Sequence, residues 1–392
     1  TPGGAPAAGA PLGERPAEEP VGPEADAAVL QTIPLPERPP VTILGRRQLL
    51  VAGAIAVGGG LGGRLLSTSR TTVERSTIAL PQPRSVTGTA PVGAPPLPGV
   101  SSFITPNERF YRIDTALLVP QVDHRTWKLR IDGAVRKPLV LTYDDLLRRP
   151  HIEHVATMLC VSNEIGGDLI GTARWQGVLL RDLLEEAGVE PGGTQVFSTS
   201  VDGWTCGFPT ELALDGRNAM VAIGMNGEPL PVRHGFPARL IVPGLYGYVS
   251  STKWLARIEL NDWATNDGYW MPRGWSKEGP VKPGSRIDTP RRGTVVQPGR
   301  VGVGGVAWAN HRGVDAVQVR VDEGDWQDAT LHEGVNDDSW RQWTWAWNDA
   351  ARGGHQLEVR MRTRDGEWQT GESAEVAPNG ATGWHSVFVN VA

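Results

Sequence analysis

From about Arg291 to the C-terminus, apolar residues recur at every second position: Val317/Val319/Val321, Trp343/Trp345/Trp347, Leu357/Val359/Met361 and Val387/Val389/Val391. Side chains of a strand alternate between its two faces, so this period gives each strand one face to bury and obliges it to pack against a second sheet. The pattern predicts an all-β sandwich over residues 291–392, of immunoglobulin-like size but with no cysteine pair to cross-link its sheets. The chain holds 15 tryptophans, and those of this region are expected as core packing.

Upstream the pattern is mixed. The first core is expected to begin near Phe103. Trp127–Ile131 alternates as a half-buried strand and ends at the turn pair Asp132-Gly133. Thr142-Tyr143-Asp144-Asp145 reads as a capping box opening a helix that Pro150 stops. His151–Leu159 then reads as a strand running into Cys160, Val178–Ala187 as an amphipathic helix closed by Gly188, and Arg239–Val242 as a buried strand delivered to Pro243-Gly244.

The first forty or so residues are rich in Pro, Ala, Gly and Glu and have little to bury, which predicts a disordered linker over 1–40. An uncharged, Gly-rich apolar run, Val51–Gly63, follows Arg46-Arg47 and closes at Arg64. Segment 41–66 is expected to be a membrane anchor, crossing through 47–64, with a twin-arginine export signal and a buried soluble helix as the alternatives. Either the anchor or the signal places the remainder on the extracytoplasmic face of a bacterial cell membrane. Residues 67–100, with repeated Pro and Gly, read as an extended lead-in. A net charge of -5 without any long Lys/Arg run makes nucleic acid an unlikely target class. The two cysteines, Cys160 and Cys206, form no CxxCH, so any haem partner must be a separate protein.

Cys160 stands where a strand breaks into a loop containing Gly166 and Gly167. A soft thiolate suits a transition metal, and glycines let backbone approach a ligand closely. A zinc site from His151, His154 and Cys160 is the weaker alternative, because positions 151 and 154 of a strand face opposite sides and no fourth ligand lies nearby. Cys160-Val161-Ser162-Asn163 followed by Gly171-Thr172-Ala173-Arg174-Trp175-Gln176-Gly177 resembles the Cys-x-x-Asn and Thr-Ala-Arg-Trp-x-Gly segments of sulfite oxidase-type molybdoenzymes. A second matching block runs from Gly224 through His234-Gly235-Phe236-Pro237-Ala238-Arg239 to Lys253-Trp254.

The resemblance covers about 103–392 and implies an α+β molybdopterin-binding domain over 101–290 followed by the immunoglobulin-like sandwich, which resembles that family's dimerisation domain. It implies that Cys160 ligates molybdenum together with pterin sulfurs. His234, Arg239, Ser251, Thr252 and Lys253 match positions that hold the pterin and its phosphate. Ser162, Asn163, Asp202, Arg112 and Asp114 are further candidates, Arg112 also for substrate; Arg174 is as well explained by structure as by anion contact. Two departures weaken an oxyanion site: Ile165 stands where the family has a second arginine, and Trp275 where it has a tyrosine. Arg112 and Arg273 are the candidates to compensate. The implied activity is two-electron oxygen-atom transfer to or from a small molecule of the sulfite, sulfoxide or nitrate class, with a separate haem or quinone-linked carrier and a homodimeric assembly. A secreted binding module is the non-enzymatic alternative.

Overall fold

The computed structural model describes residues 75–88 and 95–392. The expected linker over 1–40 and the apolar segment 41–66 lie outside the described residues, and among those described no helix is long and apolar enough to cross a membrane. The lead-in is more than a spacer: Ser85–Thr87 pairs in parallel with Ile152–His154 and forms the edge of the first sheet.

That sheet orders its strands as Ser85–Thr87, Ile152–Leu159, Ile170–Leu179, Met220–Met225 and Arg239–Ile241, with Glu228–Pro229 hairpinned onto Met220–Met225. A second sheet runs Leu139–Thr142, Lys128–Gly133, Leu255–Asn261, Gln195–Ser200 and Thr205–Pro209. The helices named between them are short. Tyr143–Arg148 opens with the expected capping box, in which the Thr142 side chain accepts from the Asp145 N–H at 3.1 Å and the Asp145 carboxylate accepts from the Thr142 N–H at 2.9 Å.

The amphipathic helix is Leu180–Ala187, closed by Gly188 in the left-handed region. It starts later than its pattern suggested because Val178 and Leu179 finish the strand Ile170–Leu179, which is buried on both faces except at Arg174, so its apolar end runs into the helix without a change of period. The same strand contains Arg174, exposed at mid-strand. The first half is therefore mostly β, with less helix than the α+β expectation.

The β-rich second half begins at Gly284 rather than at Arg291, because Gly284–Thr289 pairs with Gly299–Trp308. One sheet orders Gly284–Thr289, Gly299–Trp308, Arg341–Ala350 and Thr330–Leu331; the other orders Val295–Val296, His385–Val391, Gly353–Thr363, Val314–Val321 and Gln327–Asp328. The two bury a common core in which Val303 and Trp343 meet Val317, Val359 and Val389, all of them essentially inaccessible. The period-two positions thus turn inward, apart from the half-buried Val321 and Trp345.

The two halves share a core as well as a chain. Trp308 and Trp340 of the second half belong to the hydrophobic cluster of the first, and the Trp340 indole donates to the Phe103 carbonyl at 2.9 Å. His154 Nε2 and Asp338 Oδ2 lie 2.8 Å apart across this junction, and Asn310 Nδ2 donates to the Thr157 carbonyl at 2.6 Å. Burial works against the Asp338 carboxylate, but its bonds to His154 and His311 win and hold it down at about 2. Residues 151–160 are thereby braced from behind by the sandwich.

Candidate functional site

The strand Ile152–Leu159 delivers Cys160 to the wall of a cavity of about 190 Å³. The loop that follows is clasped shut: the Cys160 N–H donates to the Leu169 carbonyl at 3.0 Å, the Asn163 N–H to the Cys160 carbonyl at 3.1 Å, and the Leu169 N–H to Asn163 Oδ1 at 2.8 Å. Asn163 is therefore occupied in holding the loop and does not line the cavity, contrary to its expected cofactor role. Gly166 and Gly167 also serve packing rather than ligand approach. Gly166 has φ +78, and a Cβ there would lie 2.3 Å from the His385 ring of the sandwich.

Cys160 is 9% exposed. Burial raises its thiol pKa, while hydrogen bonds from Ser162 and the positive charge of Lys253 act in the opposite sense, toward the thiolate that a metal requires. Ser162, Asp202, Arg239, Ser251, Lys253, Asp114 and Trp275 share the cavity wall with it. The elements that bring them are separated by tens of residues, and close approach between them depends on glycine at one point: Gly235, at φ +110, where a Cβ would stand 3.1 Å from Lys253 and 3.2 Å from Arg239. Trp254, beside Lys253, has φ 48, a region costly for a bulky residue and one that clusters at functional sites.

Arg239 is 3% exposed, its Nη1 donates to the His234 carbonyl at 3.1 Å, and its guanidinium lies 5.1 Å from the Trp175 ring. Its Nε is buried without a hydrogen-bond partner. Burial lowers its pKa to about 10, which still leaves it charged at neutral pH. Lys253 is lowered to about 8 by burial and then by Arg239; its Nζ donates to the Ile113 carbonyl at 3.1 Å and to the Asp114 carboxylate at 2.9 Å. His234 sits behind the wall, with Nε2 2.9 Å from the Asn107 carbonyl, Nδ1 unpartnered, and burial pushing it to about 3, so it is neutral.

Several expected residues are elsewhere. Arg112 does not line the cavity and is held by both carboxylate oxygens of Asp114, at 2.8 and 3.0 Å. Arg273 is exposed, its guanidinium 3.7 Å from the Tyr269 ring, outside the cavity, so it replaces no missing arginine. Thr252 is fully buried behind the wall, bonded to Ser198 at 2.6 Å and close to the Cys206 thiol at 3.1 Å. Ile165 faces a second, smaller pocket between the halves. The zinc alternative fails on geometry, since His151 bonds the Leu146 carbonyl, His154 bonds Asp338, and no cluster of three or more metal-ligating side chains occurs among the described residues.

Residues that the sequence did not single out complete the wall. Tyr111 lies half-buried, stacked on Phe110 at 5.3 Å, with its pKa pushed far up by desolvation and by the nearby Cys160. Tyr248, Trp204, Trp254 and Trp270 join it. A hydroxyl is therefore present although Trp275 stands where a tyrosine was expected. The signal was available in Phe110-Tyr111 immediately before Arg112, but a tyrosine beside a phenylalanine is equally a core pattern.

A cysteine on the wall of an aromatic cavity with a buried guanidinium short of a partner fits a thiolate-ligated metal on an anionic organic carrier. Comparison with known proteins agrees. Residues 116–270 match the family described as "Oxidoreductase molybdopterin binding domain". The chain is 32% identical over 339 residues to sulfite oxidase of Gallus gallus, covering 72% of each chain. It is 33% identical over 301 residues to the mitochondrial sulfite oxidase of Rattus norvegicus, covering 65% of this chain and 54% of that one, so it spans about half the length of that relative. Among solved structures it resembles the sulfane dehydrogenase SoxCD from Paracoccus pantotrophus, with TM-score 0.62, 25% identity, and coverage of 75% of this chain and 84% of that one. The chain belongs to the sulfite oxidase family of molybdopterin-dependent oxidoreductases. Molybdenum carried on molybdopterin is the cofactor that this membership implies.

Proposed function

We propose that the protein catalyses two-electron oxygen-atom transfer between water and a small sulfur- or nitrogen-containing substrate, exchanging electrons with a separate haem or quinone-linked carrier. The observation that carries this reading is the cavity shared by Cys160 and Arg239, with the guanidinium Nε buried and unpartnered. A buried donor left unsatisfied costs free energy, and an anion from the cofactor would satisfy it. Cys160 would ligate the metal, and Arg239 and Ser251 would hold the pterin and its phosphate; Lys253 is already paired with Asp114. When bound, the cofactor supplies a metal that changes oxidation state by two and exchanges oxygen.

The chain's own contribution is positional. Ser162 and the charge of Lys253 favour the thiolate form of Cys160. Tyr111, kept protonated by burial, offers a hydrogen-bond donor near the reacting position. The rings of Trp204, Trp270 and Trp275 wall the cavity and limit water there. The family's and the neighbour's names point to sulfur compounds as the first substrates to try.

The same reading includes an immunoglobulin-like second half that mediates a homodimer and an extracytoplasmic location, anchored or exported through 41–66. Stoichiometric molybdenum in the purified holoprotein, with turnover in a screen of sulfite, nitrate and a sulfoxide, tests the activity. Cys160→Ser is expected to abolish turnover while thermal unfolding stays within about 1 kcal/mol of the parent, as for a small near-isosteric change. Protein with neither molybdenum nor turnover would return the chain to a non-catalytic binding role, and a Cys160→Ser variant with full turnover would remove Cys160 from the chemistry.

A further inference from the structure

Asp114 and Asp202 are the carboxylates of the cavity wall that the proposed chemistry does not use, and Asp114 is the one held by cations. Its two oxygens are bound to Arg112 at 2.8 and 3.0 Å, and one of them also accepts from Lys253 at 2.9 Å. Only 11% of its side chain and 11% of that of Lys253 are exposed, so the pair is largely shielded from solvent. Burial opposes the charged carboxyl, yet the bonds from Arg112 and Lys253 prevail and hold it below the usual range.

A carboxylate clasped by a guanidinium and an ammonium occupies the place that an oxyanion would take. Among the described residues Arg239 is a cavity-lining cation with no carboxylate partner, and it matches one anion, which the cofactor's phosphate would provide. The other cations near the cavity are spent: Arg112 on Asp114, Arg273 outside on Tyr269.

We propose that Asp114 is a charge-selectivity residue, an internal counter-anion that cancels Arg112 and Lys253 so that the cavity admits an uncharged substrate of the sulfoxide class and disfavours oxyanions. The inference rests on the oxygen-transfer reading above and names its substrate charge. The rest of the wall agrees, because Trp270, Trp275 and Trp204 present apolar rings, and sulfur packs favourably against aromatic edges. Tyr248 adds no free donor, since its hydroxyl already bonds the Ser276 carbonyl at 2.7 Å.

Sulfate, a non-reacting oxyanion, is the probe. Its binding to the holoprotein is followed by quenching of tryptophan fluorescence for the parent, Asp114→Asn and Asp114→Glu, with dimethyl sulfoxide as the uncharged reference. Asp114→Asn is expected to tighten sulfate by about 10- to 100-fold, the scale of a freed charge-assisted pair. That gain should shrink as sodium chloride is raised, dimethyl sulfoxide binding should stay within about twofold, and Asp114→Glu, which keeps the charge, should behave as the parent. Unchanged sulfate affinity in a folded Asp114→Asn protein overturns the proposal, as does parent protein that already binds sulfate as tightly as that variant. If the purified protein holds no molybdenum, the functional reading fails separately. The same titration on cofactor-free chain, with Arg239→Met in every arm to remove the other anion site, still decides the role of Asp114.

Discussion

Among the described residues arginine meets tryptophan in two places, and the two clusters are built to opposite ends. In the first half, Arg239 lies 5.1 Å from the Trp175 ring, 3% exposed, with no acidic partner and one nitrogen unsatisfied. On the sandwich, Arg320, Arg360 and Arg362 interleave with Trp326, Trp368 and Trp384 at 4.3–5.3 Å, and these arginines are satisfied: Arg320 pairs with Glu358, Arg362 with Asp315, and Arg360 bonds Gln318. The same two residue types make a waiting anion site when buried without a counter-charge, and a closed surface ladder when neutralised and half exposed. What separates a site from a scaffold here is a buried guanidinium nitrogen left without any partner.

The comparison breaks first at Trp175. Trp175→Ala removes a ring with no solvent exposure and is expected to cost about 3–5 kcal/mol of stability in urea unfolding. Trp326→Ala, on the ladder, should cost about 1 kcal/mol. Equal losses would mean that the ladder is as much a core as the site.

Arg239→Met sharpens the contrast through its sign. The cofactor-free variant should be more stable than the parent, because a buried, uncompensated cation is replaced by an apolar chain, while retention of the pterin should fall by about 10- to 100-fold. Arg320→Met should change stability by no more than about 1 kcal/mol and leave pterin retention unchanged. Calorimetry of the cofactor-free chains and pterin content of the purified holoproteins give both readings.

The junction between the halves supplies a pH test. Asp338 is held down at about 2 by His154 and His311 against the cost of its burial, so its contribution is present above the ordinary carboxyl pKa and is lost as pH falls through the lowered value. Parent protein should lose about 2 kcal/mol between roughly pH 4 and pH 2 that Asp338→Asn does not lose in that window. A parallel pH dependence of the two would show that other carboxylates govern the acid limb. The smallest expected effect is Thr142→Ala, about 1 kcal/mol from the capping box.

Much of this was legible beforehand. The period of the C-terminal residues predicted strands with inward faces, and the strand into Cys160, the cap at Thr142 and the stop at Gly188 are local signals that depend on a few neighbouring residues. The start of the helix at Leu180 was misread because the strand before it is buried on both faces near its end, and Val178 and Leu179 continue into the helix with no change in pattern. Asn163, Thr252, Arg112 and Arg273 were grouped with the site by position along the chain, yet each points elsewhere once the backbone is folded. Tyr111 and Trp204 were passed over, and both stand on the cavity wall.

By itself the sequence determined the thiol, the cations and the aromatic content available to the site, along with the strands that carry them, because side-chain chemistry and backbone preference are local properties. Only the tertiary structure decided which cation lacks a partner. That depends on whether a carboxylate from a distant segment comes within about 3 Å, as Asp114 does for Lys253 and none among the described residues does for Arg239, and charge interactions of this kind depend on distance and burial rather than on spacing along the chain.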